Sequence, residues 1–517
     1  MKVAPLRTSS RMFRLFLFSA LVYATIHAAT SQECSASDAA ATATCTRKPA
    51  LTLGSLSKFV IDSQYAVRGE VLLRATALEK QGRKIVYCNI GNPQALGQKP
   101  LTFPRRVMSL VLNPELIDQV QYPADVVARA KEYLAFVKQA PGAYSDSQGV
   151  SGVREQVAEF ISQRDGAQLP RANASDVYLT SGASQGVEFI MRLFNQDDAV
   201  LVPIPQYPLY SALASLLGEY FQGYELGEDG GWSLQAEAIE KAIAQAEAKG
   251  KHVRAIVVIN PGNPTGNTLP RRTIEEIVRV AADRNLVVMA DEVYQANVYT
   301  DVPFVSMRKV LLELKAKEPQ RFALAQMVSF HSISKGVSGE CGLRGGYMEV
   351  LGFDDEVRAQ LYKLASIGLC PNVPGQIAVG LMVKPPAQGE PSYDVDHAER
   401  TAVFESLHRR AVKLVEGLNR LPGVKCNPAQ GAMYAFPSIT LPPRFVKEAE
   451  SKGKHPDTLY SLELLEATGV VVVPGNGFGQ RDGTYHFRTT ILPPEDVLDS
   501  VVQSIGEFHR GFVERWR

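Results

Sequence analysis

An α/β fold with a mostly parallel sheet is what this sequence predicts, on three observations. From about Asp176 onward, short apolar runs alternate with helical stretches, the rhythm of strand–helix–strand units. The runs are nearly continuous in apolar residues, as strands covered on both faces are. Polar and glycine-rich clusters follow directly after several of them, where the carboxyl ends of parallel strands open a ligand crevice.

The strands are expected at residues 177–179, 199–202, 255–259, 286–290 and 327–330. Among the intervening helical stretches, residues 271–284 set Ile274, Ile277, Val278 and Ala281 on one face. A Pro- and Gly-rich loop at 384–392 leads into a long helical region near 397–419. Shorter strand candidates at 469–473 and 485–490 predict a second, smaller α+β unit. Residues 50–115 carry no strand–helix repeat and are expected to fold back onto that unit. The division that results is 1–50 as a targeting segment, 51–115 as an arm and part of the small domain, 116–385 as the large domain, and 386–517 as the small C-terminal domain.

At 517 residues the chain has room for about three modules, or two large ones. Apolar residues at 45% and charged residues at 21% are the proportions of a soluble globular protein. Fifty-five basic against 54 acidic residues leave a net charge of +1, which argues against a nucleic-acid partner. Cys34, Cys45, Cys88, Cys341, Cys370 and Cys426 are scattered, with no C-x-x-C pair. A zinc ribbon is excluded, no metal is expected, and a disulfide scaffold is not indicated.

The first 32 residues hold no Asp or Glu but carry Lys2, Arg7, Arg11 and Arg14, followed by an apolar run at about 15–29. This composition belongs to a targeting segment. Two addresses compete: spaced Arg and Ser without acids suit a mitochondrial transit peptide, and the compact apolar run suits a secretory signal. The reading leans mitochondrial. Ser19, Thr25 and His27 interrupt the run, so no permanent membrane span is expected.

The clusters carry the chemistry. Ser181-Gly182-Ala183-Ser184 opens a helical pattern, and backbone N–H groups plus hydroxyls there suit a phosphate, or else simply cap the helix. Asp291 ends an apolar strand, where a carboxylate can cap a turn, bind a cation or pair with a cationic ring nitrogen, and Tyr294 lies three residues on. Lys335 stands in His-Ser-Ile-Ser-Lys-Gly after another strand; an amine in an apolar crevice can bond a carbonyl, whereas most strand-end lysines are solvated. Arg344 follows nine residues later as a second cation. Arg488, in Tyr-His-Phe-Arg-Thr-Thr, is expected to point inward, which is costly unless it meets an anion. Gly475-x-Gly-x-Gly479 lacks the strand–helix frame of a dinucleotide site.

In this order the clusters, with Asn260-Pro-Gly-Asn-Pro-Thr-Gly266 between the first two, resemble the class I, fold-type I aminotransferases that depend on pyridoxal 5′-phosphate. The resemblance spans about residues 60–510. Residues 89–100, 142–149 and 339–346 are similar to the alanine aminotransferase branch. It implies a seven-stranded-type sheet between helices and a small domain built from both chain ends. It also implies transamination of L-alanine with 2-oxoglutarate by a ping-pong cycle, with glutamate:glyoxylate exchange as the alternative. Lys335 would carry the cofactor and move the substrate proton. Asp291 would face the ring nitrogen, Tyr294 and Asn263 the ring oxygen, and Tyr207 the ring face. Ala183, Ser184, Ser332 and Arg344 would hold the phosphate, and Arg488, with Gly91 and Asn263, the substrate carboxylate. Tyr144 would reach the phosphate of a partner subunit, in a homodimer with shared sites.

Overall fold

The computed structural model describes residues 50–65 and 68–517; the expected targeting segment up to residue 49, with Cys34 and Cys45, lies outside them. In chain order the first strands are β1 (Val86–Tyr87), β2 (Val177–Thr180), β3 (Asp198–Ile204), β4 (Tyr220–Glu225), β5 (His252–Ile259), β6 (Val287–Asp291), β7 (Gln326–Ser332) and β8 (Gly346–Leu351). Seven of them form one sheet in the order β2-β8-β7-β6-β5-β3-β4. Every pairing is parallel except those of β8, which runs against both β2 and β7.

Side-chain alternation along these strands feeds two separate cores. Leu201, Ile256, Val288 and Met327 face the helices Ala236–Glu247, Arg271–Asp283 and Met307–Lys317, meeting Ile239, Ile243, Ile274, Ile277 and Leu311. Val200, Val257, Met289 and Val328 face the other side, against Val187, Ile190, Leu213 and Leu361 of Ala183–Met191, Leu209–Leu217 and Asp355–Ile367. Each such aliphatic side chain contributes about 1.5–3 kcal/mol when fully buried. Near-continuous apolar strands are the sequence signature of this double covering.

The smaller unit holds β9 (Val424–Lys425), β10 (Tyr434–Ala435), β11 (Ser438–Ile439), β12 (Val470–Val471), β13 (Val473–Pro474) and β14 (Phe487–Thr490). β14 lies between β10 and β13, antiparallel to both. The helices Tyr393–Asn419, Pro456–Thr468 and Glu495–Trp516 cover it. β1 pairs in parallel with β12, and the helix Glu70–Lys80 packs on Pro456–Thr468, so the early chain joins the late chain. The helix Thr102–Leu112 goes elsewhere, packing with Ala124–Phe136 and Val373–Val383. Among the described residues no helix is long and apolar enough to cross a membrane. Cys88, Cys341, Cys370 and Cys426 are free thiols.

Candidate active site

The parallel strands end at one edge of the sheet, and because β8 is reversed its beginning lies there too. Gly182, at φ +86°, turns β2 into the helix Ala183–Met191. Arg344, two residues before β8, donates to the Ser181 carbonyl (3.2 Å) and the Ser184 hydroxyl (3.4 Å). Asn372 fastens the pair, donating from its amide side chain to the Arg344 carbonyl at 2.9 Å. Ser332, the buried last residue of β7, accepts from the Ser334 N–H at 3.2 Å. A helix N-terminus, hydroxyls and a guanidinium thus form a cradle for a phosphate-sized anion.

Only glycine fits at position 182. An added Cβ would lie 2.2 Å from an Arg344 guanidinium nitrogen, on a backbone conformation that side chains rarely adopt. Strain of that kind costs about 1–3 kcal/mol, before any displacement of Arg344. Gly182→Ala should therefore lower cofactor affinity at least about tenfold while thermal unfolding shows a folded protein. Unchanged affinity in a cofactor titration would put the phosphate somewhere else.

Asp291 closes β6 with 6% exposure. Its Oδ2 accepts a 2.8 Å bond from the Tyr210 hydroxyl, while Oδ1 is buried without a partner. Burial pushes its carboxyl above the ordinary range, against the pull of Tyr210 and Lys335. A cationic N–H at Oδ1 would bring it back down. Its neighbour Glu292 accepts from the Met307 N–H (2.7 Å) and faces Arg164 instead. Lys335 is half-buried, its amine 5.6 Å from the centre of the Tyr294 ring. Tyr207 meets Tyr65 hydroxyl to hydroxyl at 2.9 Å, and burial followed by that contact raises its phenol well above the ordinary range.

Arg488, on β14, is 1% exposed. One terminal nitrogen donates to Asn263 Oδ1 (2.9 Å), the other to the Asn89 carbonyl (2.6 Å), and Nε is buried without a partner. Two aromatic rings lie against its guanidinium, with centres 4.1 Å (Tyr434) and 4.8 Å (Phe478) away. A Cβ on Gly91 would lie 2.2 Å from the Tyr434 hydroxyl and 3.4 Å from the Lys335 amine, so these three crowd one point. Burial pushes the Tyr434 phenol up, but Lys335 and Arg488 outweigh it and hold it below the usual tyrosine range.

Pyridoxal 5′-phosphate asks three things of a protein: a carboxylate to accept from its protonated ring nitrogen, an amine for its aldehyde and donors for its phosphate. The partnerless oxygen of Asp291, the Lys335 amine and the Gly182–Arg344 cradle supply that donor set, so the residues present fit the group.

Of the residues singled out from the sequence, Gly91, Lys335, Tyr294, Asn263 and Arg488 are linked through Tyr434 and its neighbours, and Ala183, Ser184 and Arg344 meet at the cradle. Tyr144 stands apart at 79% exposure. Sequence reasoning missed Tyr434 and Phe478, which hold Arg488, Tyr210, which bonds Asp291, and Asn89, whose carbonyl accepts from Arg488. The discounted Gly475-x-Gly-x-Gly479 segment is a short 3₁₀ turn, Gly475–Phe478, that delivers Phe478.

Comparison with known proteins agrees. Residues 106–505 match the model of the family "Aminotransferase class I and II". A probable mitochondrial alanine aminotransferase of Dictyostelium discoideum is 50% identical over 493 residues, covering 91% of each chain. Glutamate–glyoxylate aminotransferase 2 of Arabidopsis thaliana is 48% identical over 474 residues, 90% of this chain and 97% of its own. Among solved structures, an alanine aminotransferase from Pyrococcus furiosus superposes with a TM-score of 0.71 at 26% identity, over 88% of this chain and 100% of its own. The chain belongs to the class I and II aminotransferases, and its cofactor is pyridoxal 5′-phosphate.

Proposed function

We propose that this enzyme transfers the amino group of L-alanine to 2-oxoglutarate, giving pyruvate and L-glutamate in two half-reactions. The observation that carries the reading is the meeting of a partnerless buried carboxylate oxygen, an amine and a buried arginine fork at one sheet edge. The substrate pair follows the Dictyostelium relative. The Arabidopsis relative favours a second reading, glutamate with glyoxylate.

Bound here, pyridoxal phosphate supplies an electron sink for the charge left when the substrate's α-proton departs. Lys335 would anchor the cofactor and move the proton between the substrate Cα and the cofactor's C4′. Asp291 stays ionised opposite the ring nitrogen and so keeps the ring cationic. Tyr294 and the amide nitrogen of Asn263 hold the ring oxygen, the Asn263 carbonyl oxygen being taken by Arg488. Tyr207 covers the ring face. Ala183, Ser184, Ser332 and Arg344 bind the phosphate. Arg488, with the Gly91 backbone, receives the α-carboxylate as a bidentate fork. The deciding test is a panel of amino donors and oxo acids with the visible spectrum recorded: alanine with 2-oxoglutarate should lead. A glutamate–glyoxylate preference would select the second reading, and no transamination at all would reject both.

The same reading makes the protein a homodimer with shared sites. Tyr144 sits on a turn anchored to its own chain by Ser147, which donates to the Leu369 carbonyl (2.6 Å), and by Gln376, which donates to the Ser145 hydroxyl (3.0 Å). Exposed Ile367 and Leu369 flank that anchorage. An exposed tyrosine among exposed aliphatics suits a second copy. Mixing Lys335→Ala with Tyr144→Phe protein under subunit exchange should raise activity above either parent, because hybrids contain one intact site. No rise, with exchange verified, would confine Tyr144 to its own chain. For the leader we propose mitochondrial import, the address in the Dictyostelium relative's name; a reporter fused to residues 1–50 that entered the secretory route would refute it.

A further inference from the structure

We propose that Tyr434 is the positioning residue of the substrate site: its ring fixes the plane of the Arg488 fork, and with it the affinity for the α-carboxylate of every substrate. The inference rests on the reading of Arg488 as the α-carboxylate fork.

The register of the small sheet creates the contact. Tyr434 on β10 stands opposite Thr490 on β14, so Arg488, two residues along, is its diagonal neighbour on the same face. The Arg488 guanidinium lies 4.1 Å from the Tyr434 ring centre, inside cation–π range, with both side chains almost wholly buried. The Phe478 ring also lies against it, at 4.8 Å. Asn263 and the Asn89 carbonyl hold the two terminal nitrogens in the guanidinium plane, but neither resists tilting out of it. The two rings do.

Tyr434 is itself held on three sides. Its ring meets the Tyr294 ring edge to face, with centres 6.2 Å apart. Its hydroxyl presses on the Gly91 backbone, where a Cβ would come within 2.2 Å. Its backbone is paired with Thr490 on β14, and its carbonyl packs close on Gly266, 2.8 Å from where a Cβ there would sit. A ring locked in this way supplies a preorganised face, and the fork pays no ordering cost when a carboxylate arrives.

The test uses cofactor-loaded Tyr434→Phe and Tyr434→Leu proteins. Pyruvate affinity is read by titration calorimetry, KM by kinetics with alanine and with 2-oxoglutarate, and cofactor affinity by absorbance. Phe keeps the π face and should leave all carboxylate affinities within about twofold. Leu removes it and should weaken pyruvate, alanine and 2-oxoglutarate in parallel by about tenfold, the scale of a desolvated cation–π contact. Cofactor affinity should stay unchanged in both, which a general loss of structure would not allow. If the Leu protein does not fold, Tyr434→Met, closer in length and still without a π face, takes its place with the same expectation. Unchanged affinities in the Leu or Met protein overturn the proposal, as does a loss in Phe equal to that in Leu. Arg488→Ala separates the two readings. If it leaves pyruvate binding intact, the assignment of the fork fails and this proposal falls with it. If it abolishes binding while Tyr434→Leu does nothing, the fork stands and this proposal alone fails.

Discussion

Lys335→Ala should fold, bind pyridoxal phosphate through the cradle and Asp291, and turn over at no more than about a thousandth of the normal rate. On its proposed role the side chain supplies both the covalent anchor and the base, and proton transfer by a positioned group alone contributes about 10²–10⁴-fold. Among the described residues nothing nearby replaces it. Tyr294 and Tyr434 are phenols, and the Cys341 thiol points at the Ser334 carbonyl 3.0 Å away. The visible absorbance of a lysine-bound cofactor should disappear, while thermal unfolding stays near that of the parent. Added small amines should restore some turnover by carrying the proton. Turnover retained without them would show that another group is the base.

Arg488→Ala should damage both half-reactions together, since amino donor and oxo acceptor each present a carboxylate beside the reacting carbon. Removing one partner of a buried, charge-assisted pair costs about 2–5 kcal/mol, or roughly 30- to several-thousandfold in affinity. The loss should appear in kcat/KM for alanine and for 2-oxoglutarate alike. Arg488→Lys should rescue little, because an ammonium cannot reach the Asn263 and Asn89 oxygens and a bidentate carboxylate at once. A variant impaired toward only one substrate would show that a different group receives the α-carboxylate.

The sheet's central strands were legible because burial on both faces leaves an unbroken apolar run, and Asp291 and Ser332–Lys335 stood out as the polar residues that end such runs. Two strands were not legible, for different reasons. β4 is an edge strand with Gln222 and a terminal Glu225, so its pattern is mixed. β8 carries Glu349 in its middle, wholly buried and neutralised by Arg308 at 2.8 Å. A charge inside a strand erases the apolar signal, and only the tertiary ion pair explains it. Missing β8 also hid why Arg344 reaches the cradle, since a reversed strand begins where the others end. Tyr434 belongs to a strand of two residues and Phe478 to a single turn, too short for any periodicity to reveal. Their partner Arg488 was recognisable by the cost of pointing a cation inward, but not the company it keeps.

The Asn89 carbonyl and the Arg488 guanidinium are bonded across 399 positions of sequence. The ribosome releases the chain from its N-terminus, so the phosphate cradle and Lys335 are outside and able to fold while Arg488 is still unmade. Recognition of the cofactor therefore becomes possible before recognition of the substrate. On the proposed roles, the strand that carries Arg488 is the last part of the substrate site to be made, and the fork closes only when it pairs back to Asn89.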